Sequence, residues 1–207
     1  MDTIKFNSKN HTYTNKNNEN VLSVTKVLPD IPEHLLYNQN FIRKTIIGTK
    51  THEFAERANQ HFKKTQKIRS IRGYGGDCKA YCAAYQKFLK DIQPKIFAIE
   101  QRLFHPIYHY AGTLDLVCNY NNFITLFDIK TTSVIDAKVK LQTAAYYTAY
   151  NHDRSRNRAQ RRGIIHLKPN GQYAIKLLPI KQVAYDFNIF LCKLKSAMWD
   201  FKNLKGN

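Results

Sequence analysis

Two apolar segments separated by a short polar stretch stand out between residues 110 and 130. Both segments are rich in β-branched and aromatic residues, and the polar stretch at 119–122 favours a turn, so the pattern predicts a β-hairpin. The first segment contains one acid, Asp115, and the second ends with Asp128 and Lys130. Because residues i and i+2 of a strand face the same side, Asp128 and Lys130 are predicted to project together, and the hairpin can bring Asp115 beside them.

The two acids of this hairpin need partners. Burying a carboxylate in an apolar strand costs several kcal/mol unless the group is paired or bound to a metal. Here two carboxylates lie in neighbouring apolar strands, and a lysine follows the second by two residues. The sequence therefore predicts a divalent-metal site with an ammonium group beside it.

Outside the hairpin the pattern predicts further strands and helices. The other predicted strands cover residues 3–6, 11–14, 95–105, 164–168 and 173–178. The predicted helices cover residues 21–28, 33–45, 48–63, 77–91, 138–151 and 182–201. Glu100 is an isolated acid in the middle of the strand at 95–105. We interpret the chain as one domain, with an N-terminal hairpin and helix at 1–45 and a core at 46–207.

Capping residues predict where two of these helices begin. Ser23 or Thr25 is the expected N-cap of the first helix, and Thr49 or Thr51 is the expected N-cap of the third. A hydroxyl at this position accepts a hydrogen bond from a first-turn amide, which favours the start of a helix.

Basic residues outnumber acidic residues by 33 to 15, which gives a formal charge of +18. Such an excess predicts a polyanionic partner, most simply nucleic acid; the alternative is a generally basic soluble protein. Arginines in two loops, at 66–76 and 152–162, are the candidates for contact with a nucleic-acid backbone. These arginines are Arg69, Arg72, Arg154, Arg156, Arg158, Arg161 and Arg162.

Neither a membrane segment nor a disulfide framework is expected. The chain contains no run of about 20 apolar residues, and its first residues, MDTIKFNSKN, lack the apolar core of a secretory signal. We therefore expect a protein of the cytoplasm of a bacterial or phage-infected host cell. The four cysteines, Cys78, Cys82, Cys118 and Cys192, are predicted to be reduced thiols in the core, because a secretory signal is not expected. Their spacing does not favour a zinc site.

Taken in order, these segments resemble the PD-(D/E)XK nuclease superfamily. Segments similar to its motifs are GTKTHE at 48–53 (the G-x-x-x-H-E segment of RecB-type members), YAGTLDLV at 110–117 and FDIKTT at 127–132 (the metal-site strands). Gln142 and Tyr146 match the Q-x-x-x-Y helix of the family. HTYT and SVTKVL are similar to the start of small stand-alone phage and mitochondrial-maintenance-type exonucleases. The resemblance extends from residue 11 to about residue 150.

The resemblance implies an α/β, restriction-endonuclease-like fold. In this fold a central mixed sheet is flanked by helices, here with an N-terminal hairpin and a helical extension. Relatives that hold an iron–sulfur cluster have one early cysteine and three late ones, whereas only Cys192 is late here, so no cluster is expected. No helicase motif is present, and the chain is interpreted as a nuclease module alone.

The site residues follow from the residue chemistry and from the resemblance together. Asp115, Asp128 and the Ile129 carbonyl are the expected oxygen ligands of Mg²⁺ or Mn²⁺, and the resemblance implies that His52 completes the set. Glu100 is a candidate for a second metal ion or for an outer hydrogen bond, and the number of ions stays open.

Three further residues are expected to act on the scissile phosphate. Lys130 is expected to orient or deprotonate the attacking water and to screen the phosphate. Gln142 and Tyr146 are expected to bind that phosphate or to support Lys130. For Lys130 we predict the position and leave the protonation state open.

The resulting function is a metal-dependent DNA exonuclease that prefers single strands or free ends, in DNA replication, recombination or repair. One alternative is a structure-specific endonuclease that acts on flaps or junctions. Another is a basic nucleic-acid-binding protein that keeps the fold without catalysis. Cleavage polarity, oligomeric state and the choice between DNA and RNA stay open.

Overall fold

A computed structural model describes residues 4–7, 10, 12–28, 37–152, 154 and 156–203. Its strands are β1 (Lys5–Asn7), β2 (Thr12–Thr14), β3 (Asn20–Ser23), β4 (Ile96–His105), β5 (Tyr110–Tyr120), β6 (Phe123–Lys130), β7 (Arg161–Leu167) and β8 (Tyr173–Leu178). Its α-helices are α1 (Val24–Val27), α2 (Gln39–Thr65), α3 (Cys78–Ile92), α4 (Lys138–Asn151) and α5 (Val183–Asn203), and a 3₁₀ turn at Ile180–Gln182 precedes α5. None of the described helices is both long and apolar enough to cross a lipid bilayer.

The eight strands form one mixed sheet in which β5 has three neighbours. Strand β4 pairs antiparallel with β5 from Tyr110 to Cys118. The other edge of β5 is shared, because β3 pairs parallel with Tyr110 and Ala111 and β6 pairs antiparallel from Leu116 onward. Between these two neighbours, residues 112–115 have no strand partner on that edge among the described residues. The sheet is therefore split beside Asp115.

Helices cover both faces of the sheet. Helices α2 and α3 pack on one face, where Phe54 and Phe88 meet Phe127 and Ile165 in one apolar cluster. Helices α1, α4 and α5 pack on the other face around a second cluster that includes Tyr110. The split in the sheet is thus flanked by α2 on one side and α4 on the other.

The predicted β-hairpin of β5 and β6 is confirmed, and its turn is shorter than the polar stretch that indicated it. Only Asn121 and Asn122 lie between the strands, with φ angles of 49° and 65°. A two-residue hairpin turn with both φ angles positive has the twist that adjacent strands require, and asparagine tolerates this conformation better than most residues. The turn therefore sets the register that carries Asp115 and Asp128.

The two helices predicted at 33–45 and 48–63 are one continuous helix where the structure describes them, so the predicted break is wrong. Residues 33–36 lie outside the described part, and residue 45 lies inside α2. Asn38 is the N-cap, because its side chain accepts hydrogen bonds from the amides of Asn40 and Phe41. Thr49 and Thr51 are not caps.

The hydroxyls of these two threonines donate within the helix instead. Thr49 Oγ1 bonds to the Thr45 carbonyl at 3.0 Å and Thr51 Oγ1 to the Ile47 carbonyl at 2.8 Å. A hydroxyl satisfied by the preceding turn does not compete with the helix, which explains how the threonine-rich segment continues α2.

Several smaller predictions need correction. The helix predicted at 21–28 begins only at Val24, after an unpredicted strand β3; Ser23, not Thr25, is its cap and accepts from the Lys26 amide at 3.2 Å. Strand β7 begins at Arg161 rather than at residue 164. All four cysteines are free, but Cys192 is exposed, so its placement in the core was wrong. Residues 3 and 11, in the first predicted hairpin, lie outside the described part.

Gly112 lies beneath the ring of Tyr146, and the substitution Gly112→Ala is expected to destabilise the protein. An added Cβ would lie 2.6 Å from Cε1 of the buried Tyr146 ring and 3.4 Å from Val24 Cγ2. Overpacking of this kind costs about 1–3 kcal/mol. The free energy of unfolding in urea measures the effect.

Gly48→Ala is the matched control. Its added Cβ would meet Thr131 Oγ1 at 3.5 Å, an ordinary contact. Alanine also favours the interior of a helix, so the control is expected to equal the parent protein or exceed it by up to about 1 kcal/mol. Equal losses of stability in both variants would contradict the packing of Tyr146 on Gly112.

Candidate active site

Three acids lie in one row across the sheet. The register of β4 and β5 pairs Ile99 with Leu116 and Gln101 with Leu114, which places Glu100 opposite Asp115. The register of β5 and β6 ends with Leu116 opposite Phe127, and its continuation by one residue places Asp115 opposite Asp128. Residues opposite each other in antiparallel strands have neighbouring side chains, and like charges in such positions repel. A row of three carboxylates therefore calls for protons or cations.

His52 of α2 reaches the same row. Its Nδ1 atom lies 3.6 Å from Asp115 Oδ1. His52, Glu100 and Asp115 each offer one ligand atom, and these three atoms lie within 4.8 Å of one another. Helix α2 carries His52 because it packs across β4 and β5 through Phe54 and Ala58, which are fully buried. The structure thus brings together three of the predicted ligands from three different elements.

Asp115 and Ile129 are joined across the split in the sheet. Asp115 Oδ2 accepts a hydrogen bond from the Ile129 amide at 2.6 Å. Because the N–H and C=O groups of one strand residue point to the same side, the Ile129 carbonyl faces the same split. The predicted role of this carbonyl as an oxygen ligand stays a prediction, and its direction suits that role.

Asp128, Lys130, Gln142 and Tyr146 form a chain of polar contacts from β6 to α4. Lys130 Nζ lies 2.9 Å from Asp128 Oδ2 and donates to Gln142 Oε1 at 3.1 Å. Gln142 Nε2 in turn donates to the Tyr146 hydroxyl at 3.3 Å. Asp128 therefore faces the lysine and is not one of the three groups gathered around His52. The i to i+2 and i to i+4 spacings predicted these neighbours correctly.

Lys130 is an ammonium ion in this environment. Burial alone would lower the pKa of Lys130, but the nearby charges of Asp128 and Asp115 and the contact with Asp128 outweigh burial and raise the pKa. Burial raises the pKa of Asp128 and the charge of Asp115 adds to this, while Lys130 and His52 oppose the shift. The lysine is thus a positive charge held at a fixed position, which the sequence left open.

Glu100 has a strained backbone and a carboxyl group that resists ionisation. Its φ angle is 40°, in the left-handed region that costs a residue other than glycine about 1–3 kcal/mol. Burial and the charges of Asp115, Glu56 and Asp128 raise the pKa of Glu100 to about 9. A cation placed in the row would oppose the shift in pKa, because a cation favours the ionised carboxyl.

The donor set fits a hard divalent cation. Two carboxylates, an imidazole and an adjacent backbone carbonyl suit Mg²⁺ or Mn²⁺, and the nitrogen ligand shifts the preference toward Mn²⁺. His52, Glu100 and Asp115 would hold such an ion. A further Asp128 oxygen is available across the row, although the described geometry pairs this residue with Lys130.

Glu56, which follows His52 by four residues on α2, also belongs to the site, although the sequence analysis did not single it out. Its charge is among the causes that raise the pKa of Glu100. Its carboxylate accepts a hydrogen bond from Gln60 Nε2 at 2.9 Å. The i to i+4 spacing from His52 was the available signal, because residues so spaced lie together on a helix.

The basic segment at 152–162 is not one surface, and the assignment of Arg162 to nucleic-acid contact is wrong. Arg162 is fully buried and forms an ion pair with Asp186 of α5. It also donates to Thr143 Oγ1 at 3.2 Å, so it joins β7, α4 and α5. A side chain that is not exposed to solvent cannot contact the backbone of a nucleic acid.

The other arginines of this segment are at least partly exposed. Arg154 lies over the ring of Tyr150 and Arg161 over the ring of Phe123, at 3.9 and 3.3 Å from the ring centroids, while Arg156 and Arg158 are exposed. Arg161 lies opposite Thr125, five strand residues from Lys130, or about 17 Å along β6. The structure therefore does not bring Arg161 to the site, and its proposed contact with nucleic acid would be remote.

No family model and no curated protein matches the chain. Among solved structures, the protein named "Putative exonuclease" from Eubacterium rectale has a TM-score of 0.50 and 11% identity, over 87% of this chain and 71% of that chain. The chain has the restriction-endonuclease-like fold. The predicted fold class, a mixed sheet flanked by helices, is thereby confirmed.

A second solved structure is less similar. The alkaline exonuclease LHK-Exo from Laribacter hongkongensis has a TM-score of 0.33 and 14% identity, over 76% of this chain and 85% of that chain. Sequence identities of 11% and 14% carry no information on the roles of individual residues. The roles of residues in this chain therefore follow from its own geometry.

The raised pKa of Glu100 makes stability depend on pH. The unfolded carboxyl titrates near 4.5 and the folded one near 9, so between these values the folded state binds more protons and its stability falls as the pH rises. Glu100→Gln removes this loss. Without divalent metal, the variant is expected to be more stable than the parent at pH 8, by about 1 kcal/mol or more, and equal to it at pH 4. Thermal unfolding at the two pH values measures the difference.

Asp200→Asn, at an exposed position of α5, is the control for loss of one negative charge. It is expected to follow the parent protein at both pH values. A Glu100→Gln variant that gains nothing at pH 8 would show that the carboxyl is already ionised in the folded protein.

Proposed function

We propose that the protein is a metal-dependent nuclease of the PD-(D/E)XK superfamily that hydrolyses phosphodiester bonds in DNA. The observation that carries the proposal is the contact between Lys130 and Asp128 beside the row of acids and His52. A positive amine fixed next to a divalent-cation site matches the needs of phosphoryl chemistry, in which charge develops on the phosphate oxygens. A similar fold in a protein named an exonuclease is compatible with this function.

In the proposed mechanism, some residues of the site supply charge and others fix the positions of the charged groups. His52, Glu100 and Asp115 would hold a divalent cation, which would supply positive charge beside the phosphate and ease deprotonation of a water molecule. Asp115 keeps its second oxygen on the Ile129 amide, which fixes the carboxylate rotamer.

Lys130 places its ammonium beside the same phosphate. In the protonated state, Lys130 orients the attacking water through hydrogen bonds and screens the developing charge. Gln142 fixes the amine at 3.1 Å, and Tyr146 fixes Gln142 from the buried side of α4. Of the two predicted roles for Gln142 and Tyr146, the contacts favour support of Lys130.

We further propose DNA as the substrate, with a preference for single strands or free ends, and Mg²⁺ or Mn²⁺ as the cofactor. The formal charge of +18 supports a polyanionic substrate. The resemblance to RecB-type and small stand-alone exonucleases supports the preference for ends and a role in replication, recombination or repair. The whole chain would act as one nuclease domain, since a single sheet runs from β1 to β8.

Asp128→Ala and Lys130→Ala are each expected to abolish Mg²⁺- or Mn²⁺-dependent degradation of end-labelled DNA. Removal of one partner leaves the other charge buried and uncompensated, so Asp128→Asn is made as well and the fold of each variant is checked by circular dichroism. A loss of about 10²–10³-fold or more is expected when an electrostatic group at the reacting centre is removed.

Lys87→Ala and Asp91→Ala are the matched controls, because these residues form an exposed ion pair at 2.8 Å on α3. Both are expected to retain full activity. Retained turnover in a folded Lys130→Ala variant would overturn the mechanism, and absence of turnover in the parent protein with either metal would favour the non-catalytic binding protein.

Circular single-stranded DNA separates the exonuclease from the structure-specific endonuclease. An exonuclease needs an end and is expected to leave the circle intact while it degrades the linear form of the same sequence. Cleavage of the circle, or faster cleavage of flapped than of linear DNA, would favour the endonuclease.

A further inference from the structure

A basic pocket lies beside the candidate active site, between α2 and the loop at 66–76. Its volume is about 320 Å³, within the range of small-ligand sites. The side chains that give the pocket its character are Lys50, Glu53, Arg57, Arg69, Arg72 and Tyr74. Helix α2 provides the first three and the loop provides the others, so two elements converge on one concave surface.

The cations of this pocket are not neutralised by the protein. Glu53 is the one acid that lines it, and Glu53 pairs with Arg57 at 2.8 Å. Among the described residues, Lys50, Arg69 and Arg72 have no carboxylate within ion-pair distance. Three positive charges in one pocket repel one another unless an anion lies between them.

Two buried polar atoms of the pocket also have no partner. Arg69 Nε and the Tyr74 hydroxyl are buried and make no hydrogen bond with any part of the described chain. A buried donor without a partner costs about 1–3 kcal/mol, and such an atom in a native structure calls for a water molecule, an ion or a small rearrangement that satisfies it. Both residues also line a positive pocket, which favours an anion as that partner.

The pocket is built before any ligand arrives. Gln86 of α3 donates a hydrogen bond to the Arg69 carbonyl, and the Tyr74 amide bonds to the Ile71 carbonyl at 3.0 Å. The Tyr74 ring packs edge-on against Phe54 of α2, with 5.0 Å between the ring centroids. The loop is therefore held against the core at both Arg69 and Tyr74, and little ordering is required on binding.

We propose that this pocket binds a phosphate group of the nucleic acid that is cleaved next to it. The arginines and Tyr74 would donate charge-assisted hydrogen bonds to the phosphate oxygens, and Lys50 would contribute charge. Lys50 and His52 lie two residues apart on α2, so the pocket and the candidate metal ligands are separated by about one helix diameter, 10–12 Å. The identity of the ligand rests on the proposed function, whereas its anionic character rests on the pocket alone.

Tyr74→Phe is the sharpest test, because it removes only the hydroxyl and keeps the ring on Phe54. The variant is expected to be as stable as the parent protein or more stable, since it loses a buried hydroxyl that has no partner. It is nevertheless expected to bind DNA more weakly. Arg69→Ala is expected to lose about 10-fold or more in affinity, as for removal of a hydrogen bond to a charged group.

Binding is measured by fluorescence anisotropy in EDTA, where no cleavage occurs. The probes are single-stranded oligonucleotides of one sequence with either a 5′-phosphate or a 5′-hydroxyl. Lys64→Ala, an exposed cation at the end of α2 that does not line the pocket, is the control for loss of one charge and is expected to bind as the parent does. Inorganic phosphate, titrated by calorimetry, tests the anion site without DNA.

The outcomes distinguish binding of a terminal phosphate from binding of a phosphate within the strand. If the variants weaken only the 5′-phosphorylated probe, the pocket holds a terminal phosphate; if they weaken both probes equally, it holds a phosphate within the strand. Unchanged affinity of Tyr74→Phe and Arg69→Ala for both probes and for inorganic phosphate would overturn the proposal. Because these measurements need no metal, a failure of the proposed nuclease activity is detected separately, in the cleavage assay.

Discussion

The arrangement of strands around β5 is the constraint on which the site depends. One edge of β5 is fully occupied by β4, while the other is divided between β3 and β6. Neither of these strands reaches residues 112–115, so Asp115 lies beside an opening and not beneath a neighbouring strand. Its carboxylate takes the Ile129 amide that a continuous ladder would have occupied. A continuous ladder would leave no space for a cation between the acids.

Three carboxyl groups and one ammonium group lie around this opening, so repulsion and attraction act there together. Glu100, Asp115 and Asp128 would repel one another if all were ionised without a cation. The protein meets this by a proton on Glu100, whose pKa is raised to about 9, and by the ammonium of Lys130 against Asp128. The site is therefore costly for the folded chain and favourable for a divalent ion. The chain as a whole has the opposite sign, with a formal charge of +18.

Local patterns predicted the parts of the site that depend on local geometry. Two apolar segments around a polar stretch indicated the hairpin, i to i+2 spacing joined Asp128 to Lys130, and the Q-x-x-x-Y pattern joined Gln142 to Tyr146. The left-handed backbone of Glu100 had no such signal. Apolar alternation along β4 changes phase around it, since Ala98 and Leu103, five residues apart, face the same apolar cluster. A strict two-residue period would place them on opposite faces.

The errors have long-range causes. Arg162 resembled its exposed neighbours because its partner, Asp186, lies 24 residues further along the chain. The break predicted before Gly48 followed from the choice of Thr49 or Thr51 as an N-cap, but both hydroxyls bond within the helix and Asn38 is the cap. The basic pocket could not be predicted either, because no pattern in the sequence links Lys50 to Tyr74.

The continuity of α2 has a consequence for the spacing between the two candidate sites. This helix runs for 27 residues without interruption, about 40 Å, and it carries both His52 and two of the cations that line the neighbouring pocket, Lys50 and Arg57. No hinge separates His52 from these two cations, so the distance between them is set by the helix and does not depend on a bound ligand.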